Sequence, residues 1–316
     1  MRKWIVLLGV AVLVACASRP SDYNGASAPR AASIVPLTSE RPLIALALGS
    51  GGARGFAHVG VIKALEEAGI IADIVVGSSS GAVVAALYAA GHDAKSLEEL
   101  AVAVDKNALV DFTLFGNGWV LGEALQDFVN EAVGSKPIEK LARPFAVAVT
   151  RARDGARVIF NRGDTGVAVR ASASVPKLFI PPVIRGEEYI DGGLTTPIPV
   201  RTARAMGADV VIAVDVSWSA QARADGAYAA AEDTTRSRNE RHRRFEDELS
   251  AADVVIVPRT ERTRMLDFDR KLEHIAAGEA AARAAIPRIR ELLTRAESAK
   301  SRRSVSGIAA LGVCPT

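Results

Sequence analysis

The chain has 316 residues, enough for one large domain or two small ones, and 49% of them are hydrophobic, so it can bury a sizeable core. A formal net charge of only +3, spread along the chain, argues against nucleic acid as a partner. Cys16 and Cys314 lie at opposite ends with no Cys or His at metal-ligand spacing, which leaves neither a disulfide framework nor a zinc site to expect.

The first element in chain order is an address. Arg2-Lys3 precedes twelve residues, WIVLLGVAVLVA, an apolar run too short for the about 20 residues of an ordinary membrane span. The run ends in Leu13-Val14-Ala15-Cys16, which resembles the lipobox of bacterial lipoproteins. That resemblance implies cleavage before Cys16 and a diacylglycerol on its thiol. With Ala17 next, it implies export to the outer membrane, on the periplasmic face. The alternative is a plain secretory signal cut near Ala15 or Ala17. Residues 1–15 are therefore expected to be a signal peptide. Residues 16–41 are rich in Ala, Ser and Pro without apolar period, and read as a disordered tether.

A single domain is expected over 42–299. PLIALAL reads as a buried strand, and FAHVGVIKALEEAG as a helix stopped by Gly69. DIVV is a strand and SGAVVAALYAAG a helix ending at Gly91. SLEELAVAV and GEALQDFVNEAVG read as helices. PFAVAVTRA and ARVIFN form a strand pair around Asp154-Gly155. GADVVIAVDVS and ADVVIVPRT are further apolar strands, and 267–299 is one long helical pattern. Strands alternating with helices predict an α/β fold with a mostly parallel sheet covered on both faces. The polar segment around Arg236, Arg238, Arg241, Arg243 and Arg244 reads as a solvated helix or loop. Its sharper reading is a basic surface for lipid headgroups, which the interleaved acids weaken. Residues 300–316 read as a loose tail.

Three motifs carry chemistry. Gly77-Ser78-Ser79-Ser80-Gly81, between an apolar strand and a helix, fits the G-x-S-x-G nucleophile elbow with Ser79 central. Gly77 and Gly81 spare the turn two clashing Cβ atoms, and Ser80 is a candidate helix cap. Gly51-Gly52-Ala53-Arg54-Gly55, again between strand and helix, fits neither a Rossmann fingerprint nor a Walker loop. An oxyanion hole of backbone N–H groups remains, with Arg54 orienting the loop or facing a lipid phosphate. Asp191-Gly192-Gly193 is an acid on a turn, although Asp-Gly is also an ordinary turn signal. Of the four histidines, only His242 and His274 follow the acid, as an α/β-hydrolase base would.

Together these blocks resemble the patatin-like phospholipase family, in the right order from about Leu43 to about Val216, with Ala171–Ile184 similar to its Ser-x-Pro segment. One departure is Ser50, where many members carry a third glycine. The resemblance implies a three-layer α/β/α fold and a metal-free, cofactor-free Ser–Asp dyad. Ser79 would be the nucleophile, Asp191 the general base, and Gly51, Gly52 and their neighbours the oxyanion hole. It implies membrane lipids or lysolipids as substrates, with no obligate protein partner, and the bilayer as a second contact through Cys16. Apolar residues around Trp119-Val120-Leu121 and Leu178-Phe179-Ile180 suit an acyl chain or the core. Two alternatives stay open: an α/β-hydrolase-type carboxylesterase with a His base, and a non-enzymatic envelope lipoprotein that binds acyl chains.

Overall fold

In the computed structural model, which describes residues 22–104, 109–113, 119–217, 236–260 and 263–311, the sheet grows from apolar runs buried on both faces. Five parallel strands stand in the order β4 (Phe145–Arg151), β3 (Ile74–Ser78), β2 (Ile44–Leu48), β8 (Val210–Val214), β9 (Val254–Ile256). Side chains alternate along each strand. Ile44, Leu46 and Leu48 face one core with Val75, Ile212 and Val214, while Ala45 and Ala47 face the other with Val76, Val211 and Ala213. The first core is covered by α1 (Ala57–Glu67), α2 (Ser80–Ala90), α3 (Ala94–Ala103), α4 (Glu123–Ala132), α5 (Thr165–Ala173) and the long α8 (Lys271–Leu311). The second is covered by α6 (Val200–Ala205) and the end of α7 (Arg236–Leu249), through Val200, Ala203 and Phe245. The expected three layers are present.

Two antiparallel strands complete the edge beside β4: β5 (Arg157–Phe160), joined to it through the turn at Asp154-Gly155, and β7 (Glu187–Ile190). β7 in turn pairs with β6 (Val183–Ile184). Strand β2 has β3 on one side and β8 on the other, so the direction of winding reverses there. A crevice at the carboxyl ends of such strands is where α/β folds place ligands.

Two boundaries differ from expectation. Within the segment read as a disordered tether, the described residues from Asp22 onward belong to the fold. β1 (Asp22–Tyr23) pairs with β6, and Ala28 is buried. Asn161 Oδ1 accepts from the Ala32 N–H at 2.8 Å, and Leu37 N–H donates to the Met206 carbonyl at 2.9 Å. Irregular backbone that pairs with distant partners leaves no period in the sequence, so composition alone reads as disorder. The tail read as loose also differs, because α8 continues to Leu311. Its Lys300 Nζ donates to the carbonyls of Ser39 at 2.9 Å and Arg41 at 3.0 Å, tying the helix to the entering chain. The lipobox, Cys314 and the side chains of Arg236, Arg238, Arg241 and His242 lie outside the described residues.

Candidate active site

Ser79 sits between β3 and α2 at φ 53°, ψ −125°, a left-handed conformation that costs a non-glycine residue of order 1–3 kcal/mol. Its surroundings enforce it. A Cβ on Gly77 would lie 2.5 Å from Ala82 Cα, and one on Gly81 would lie 2.2 Å from the Leu48 carbonyl oxygen. The turn can therefore approach β2 and its own helix only with glycines two positions to either side. Ser79 N–H donates to Ser172 Oγ at 2.8 Å, and Ser172 Oγ donates to the Ala148 carbonyl at 2.6 Å. Strand β4 thus braces the elbow through α5. Ser80 caps nothing: its Oγ is buried without a partner among the described residues and packs where Gly55 leaves room.

Ser79 Oγ donates to Asp191 Oδ2 at 2.6 Å. Asp191 follows β7 and is held from several sides. Its Oδ1 accepts from Gly193 N–H at 2.7 Å, its own N–H donates to the Ser174 carbonyl at 2.9 Å, and its carbonyl accepts from Thr150 Oγ1 at 2.9 Å. Both residues of the pair are 7% exposed. Burial pushes the Asp191 carboxyl up to about 6, against the lowering effect of the bonds from Ser79 and Gly193. A base near 6 is better matched to work at neutral pH than an ordinary Asp.

The glycine-rich loop after β2 leaves two donors free. Gly49, Ser50 and Ala53 N–H groups donate to the carbonyls of Val214 (3.0 Å), Pro197 (2.9 Å) and Met265 (2.8 Å). Those of Gly51 and Gly52 have no acceptor among the described residues, and both glycines line the cleft that holds Ser79. Ala53 is thereby spent as a donor. Arg54 is an anchor: its Nε donates to the Val216 carbonyl at 2.8 Å and its Nη1 to that of Thr263 at 3.3 Å. Gly55 lets the loop meet Ser80, where a Cβ would lie 2.6 Å from Ser80 Cβ.

The described histidines have other partners. His58 is fully buried under the loop and bonds the Gly49 carbonyl at 2.8 Å through Nε2, and burial lowers it to about 4. His274 is buried against Thr263 Oγ1 at 3.1 Å, and His92 bonds Ser96 Oγ at 2.7 Å and the Ala132 carbonyl at 2.8 Å. Neither Ser79 nor Asp191 is bonded to a histidine among the described residues. No group of three metal-ligating side chains gathers among them either.

The cleft over Ser79 measures about 480 Å³ and is walled by Val83, Val110, Leu125, Val175, Phe179 and Leu266 among others. A smaller apolar pocket of about 100 Å³ shares Gly52, Ser80 and Val83 with it and is also lined by Leu87 and Leu97. Phe179 thus lines the cleft, Val120 is core, and Trp119 is exposed. Ser172, Thr150 and Ser174 were not legible as site residues. The only signal was that two of them fall in the segment Ala171–Ile184.

The raised carboxyl makes a signed prediction. A folded-state value above the unfolded one means that the folded protein holds its proton more tightly, so stability falls as pH rises from about 4 to about 6. Asp191→Asn should therefore be more stable than the parent above pH 6, by on the order of 2–3 kcal/mol at most, and equally stable below pH 4. Thermal melts of the two proteins across that range would check it.

Residues 46–204 match the family model described as patatin-like phospholipase. An uncharacterized NTE family protein of Mycobacterium tuberculosis is 39% identical over 187 residues, 57% of this chain and 51% of that one. Lysophospholipase NTE1 of Coccidioides immitis is 36% identical over 180 residues, 55% of this chain and 11% of its own length. Among solved structures, VipD from Legionella pneumophila is similar in fold, with TM-score 0.51 and 14% identity over 89% of this chain and 72% of that one. The chain spans about half the length of the mycobacterial relative and about a tenth of the fungal one.

Proposed function

The chain belongs to the patatin-like phospholipase family, and from that premise we propose that it is a lipid acyl hydrolase of the phospholipase A or lysophospholipase type, working through a Ser79–Asp191 dyad. The observation that carries this reading is the 2.6 Å bond from Ser79 Oγ to Asp191 Oδ2 in an apolar-walled cleft beside the free N–H groups of Gly51 and Gly52. In the first step Ser79 Oγ attacks the ester carbonyl carbon and its proton passes to Asp191 Oδ2. The carbonyl oxygen takes the negative charge and is met by the glycine N–H groups. The intermediate then expels the alcohol, which leaves with that proton, and the acyl group stays on Ser79. Water attacks the acyl-serine and gives a proton to Asp191, which returns it to Ser79 Oγ as the fatty acid departs.

The family and the relative named a lysophospholipase support lipid esters as substrates. A general carboxylesterase with a histidine base finds less support, since His58, His92 and His274 are bonded elsewhere. Purified protein should hydrolyse acyl esters and lysophospholipid, with kcat/KM rising through about pH 6 as Asp191 ionises. Acyl-chain binding without turnover would leave the non-enzymatic reading instead.

For location we propose a lipid anchor on Cys16 at the bacterial envelope, on the strength of Leu13-Val14-Ala15-Cys16. Cys16→Ala should abolish labelling by radioactive palmitate and leave precursor or a soluble form. Unchanged labelling would overturn the anchor.

A further inference from the structure

We propose that Phe112, Trp119 and Met265, with Lys177 and Arg264, form a face around the mouth of the cleft that docks onto a phospholipid bilayer. The inference rests on the lipid-hydrolase reading for its substrate and on separate observations for its geometry.

The first observation is that three of the large exposed apolar side chains lie by the cleft, others being scattered at Val35 and Leu272. Trp119 is 63% exposed, Phe112 61% and Met265 43%. Met265 belongs to the wall of the catalytic cleft, and Phe112 and Trp119 stand on strips joined to that wall. The Met265 carbonyl holds the glycine loop through Ala53 N–H. Phe112 and Trp119 lie on two strips joined by the Phe112–Val120 bridge and the Thr113 N–H bond to the Trp119 carbonyl at 2.8 Å. Val120 pairs in turn with Phe179, which lines the cleft, and Trp119 N–H donates to the Leu178 carbonyl at 2.9 Å. Val120 and Phe179 pack inward with Val110, so the strips are held by core while the two large rings stay in solvent. Exposed Trp, Phe and Met around one opening are the side chains that settle at a lipid interface.

The second observation is charge. Lys177, next to Leu178, and Arg264, next to Met265, are exposed and form no ion pair among the described residues. Their chain neighbours Pro176 and Met265 line the cleft, and the two cations suit headgroup phosphates. Asp267 and Asp269 lie beyond Arg264 on the same side, so apolar insertion is the main attraction and the cations set the depth.

The third observation is where the chain enters the fold. Tyr23 OH accepts from Arg170 Nη1 at 2.9 Å, and Arg170 Nη2 donates to the Leu121 carbonyl at 2.7 Å. Leu121 is two residues from Trp119. Five residues, 17–21, separate Asp22 from Cys16. At full extension the Cys16-to-Asp22 stretch reaches roughly 20 Å. An anchored Cys16 would therefore hold the Trp119 side of the domain next to the bilayer.

The test uses the full chain with Ser79→Ala, so that lipid stays intact, and with Trp4→Phe and Trp218→Phe, so that Trp119 alone emits. On unilamellar vesicles of equal parts phosphatidylcholine and phosphatidylglycerol, Trp119 emission should shift to the blue and be quenched by brominated acyl chains. With Ser79 intact, Phe112→Ser with Trp119→Ser should lower hydrolysis of vesicle phospholipid about tenfold or more, and leave a soluble short-chain ester within about twofold. Unchanged emission and quenching on vesicles would overturn the docking face, as would parental vesicle hydrolysis by the double variant. So would a blue shift without lipid that grows with protein concentration, which would assign the face to a second copy. If the parent cleaves no ester at all, the hydrolase reading fails, and the quenching result still decides the docking.

Discussion

Ser79→Ala and Asp191→Asn should each reduce ester hydrolysis to near background, and the double variant should be no worse than either single one. The two side chains share one short hydrogen bond and act as a unit, so their losses do not add. Asn can still accept from Gly193 N–H at Oδ1, which keeps the turn, but cannot take the serine proton. Ser79→Ala also leaves the elbow intact, because its geometry is set by Gly77, Gly81 and the backbone bond to Ser172. His274→Ala and His242→Ala should keep most of the activity. His274 has Thr263 as its partner and no place at the reacting oxygen. A fluorophosphonate probe should label the parent and both histidine variants, but not Ser79→Ala. A folded His274→Ala or His242→Ala protein as inactive as Asp191→Asn would replace the dyad with a triad.

Gly51→Val should lower kcat by roughly 100-fold or more with a much smaller change in KM, because in the proposed mechanism the loop meets charge that develops only in the transition state. The structure says how. A Cβ on Gly51 would lie 2.6 Å from Val216 Cγ2 and 2.9 Å from the Val216 carbonyl oxygen. The loop must retreat, and its free N–H groups retreat with it. Gly52→Val should be at least as damaging, since Gly52 has φ +59° and a Cβ there would meet Met265 Cγ at 2.8 Å. Melting curves separate a misplaced donor from a misfolded protein. A well-folded Gly51→Val with parental kcat would remove the loop from the chemistry.

The motifs that carry the site were legible because each is local. An elbow must have its glycines within two residues of the serine, and an anion loop must sit between one strand and the next helix. The central strands were legible for a similar reason: β2 and β8 are unbroken apolar runs and β3 begins with one, as strands buried on both faces do. The short strands β1 and β6 carry two residues each and were missed, along with α5 and the packing of residues 22–41.

By itself, then, the sequence determined the layered α/β fold and the glycine-flanked turn of Ser79, since these follow from short-range sterics and from the period of apolar residues, while Asp191 stood out only through the family resemblance. Only the tertiary structure decided that Asp191, 112 residues away, meets Ser79. It alone showed that Ser172 braces the elbow, and that Met265 takes one loop N–H while two others have no acceptor among the described residues. It also left Trp119 and Phe112 in solvent beside the cleft. Contacts between distant segments depend on how the whole core closes, and no window of sequence contains both partners.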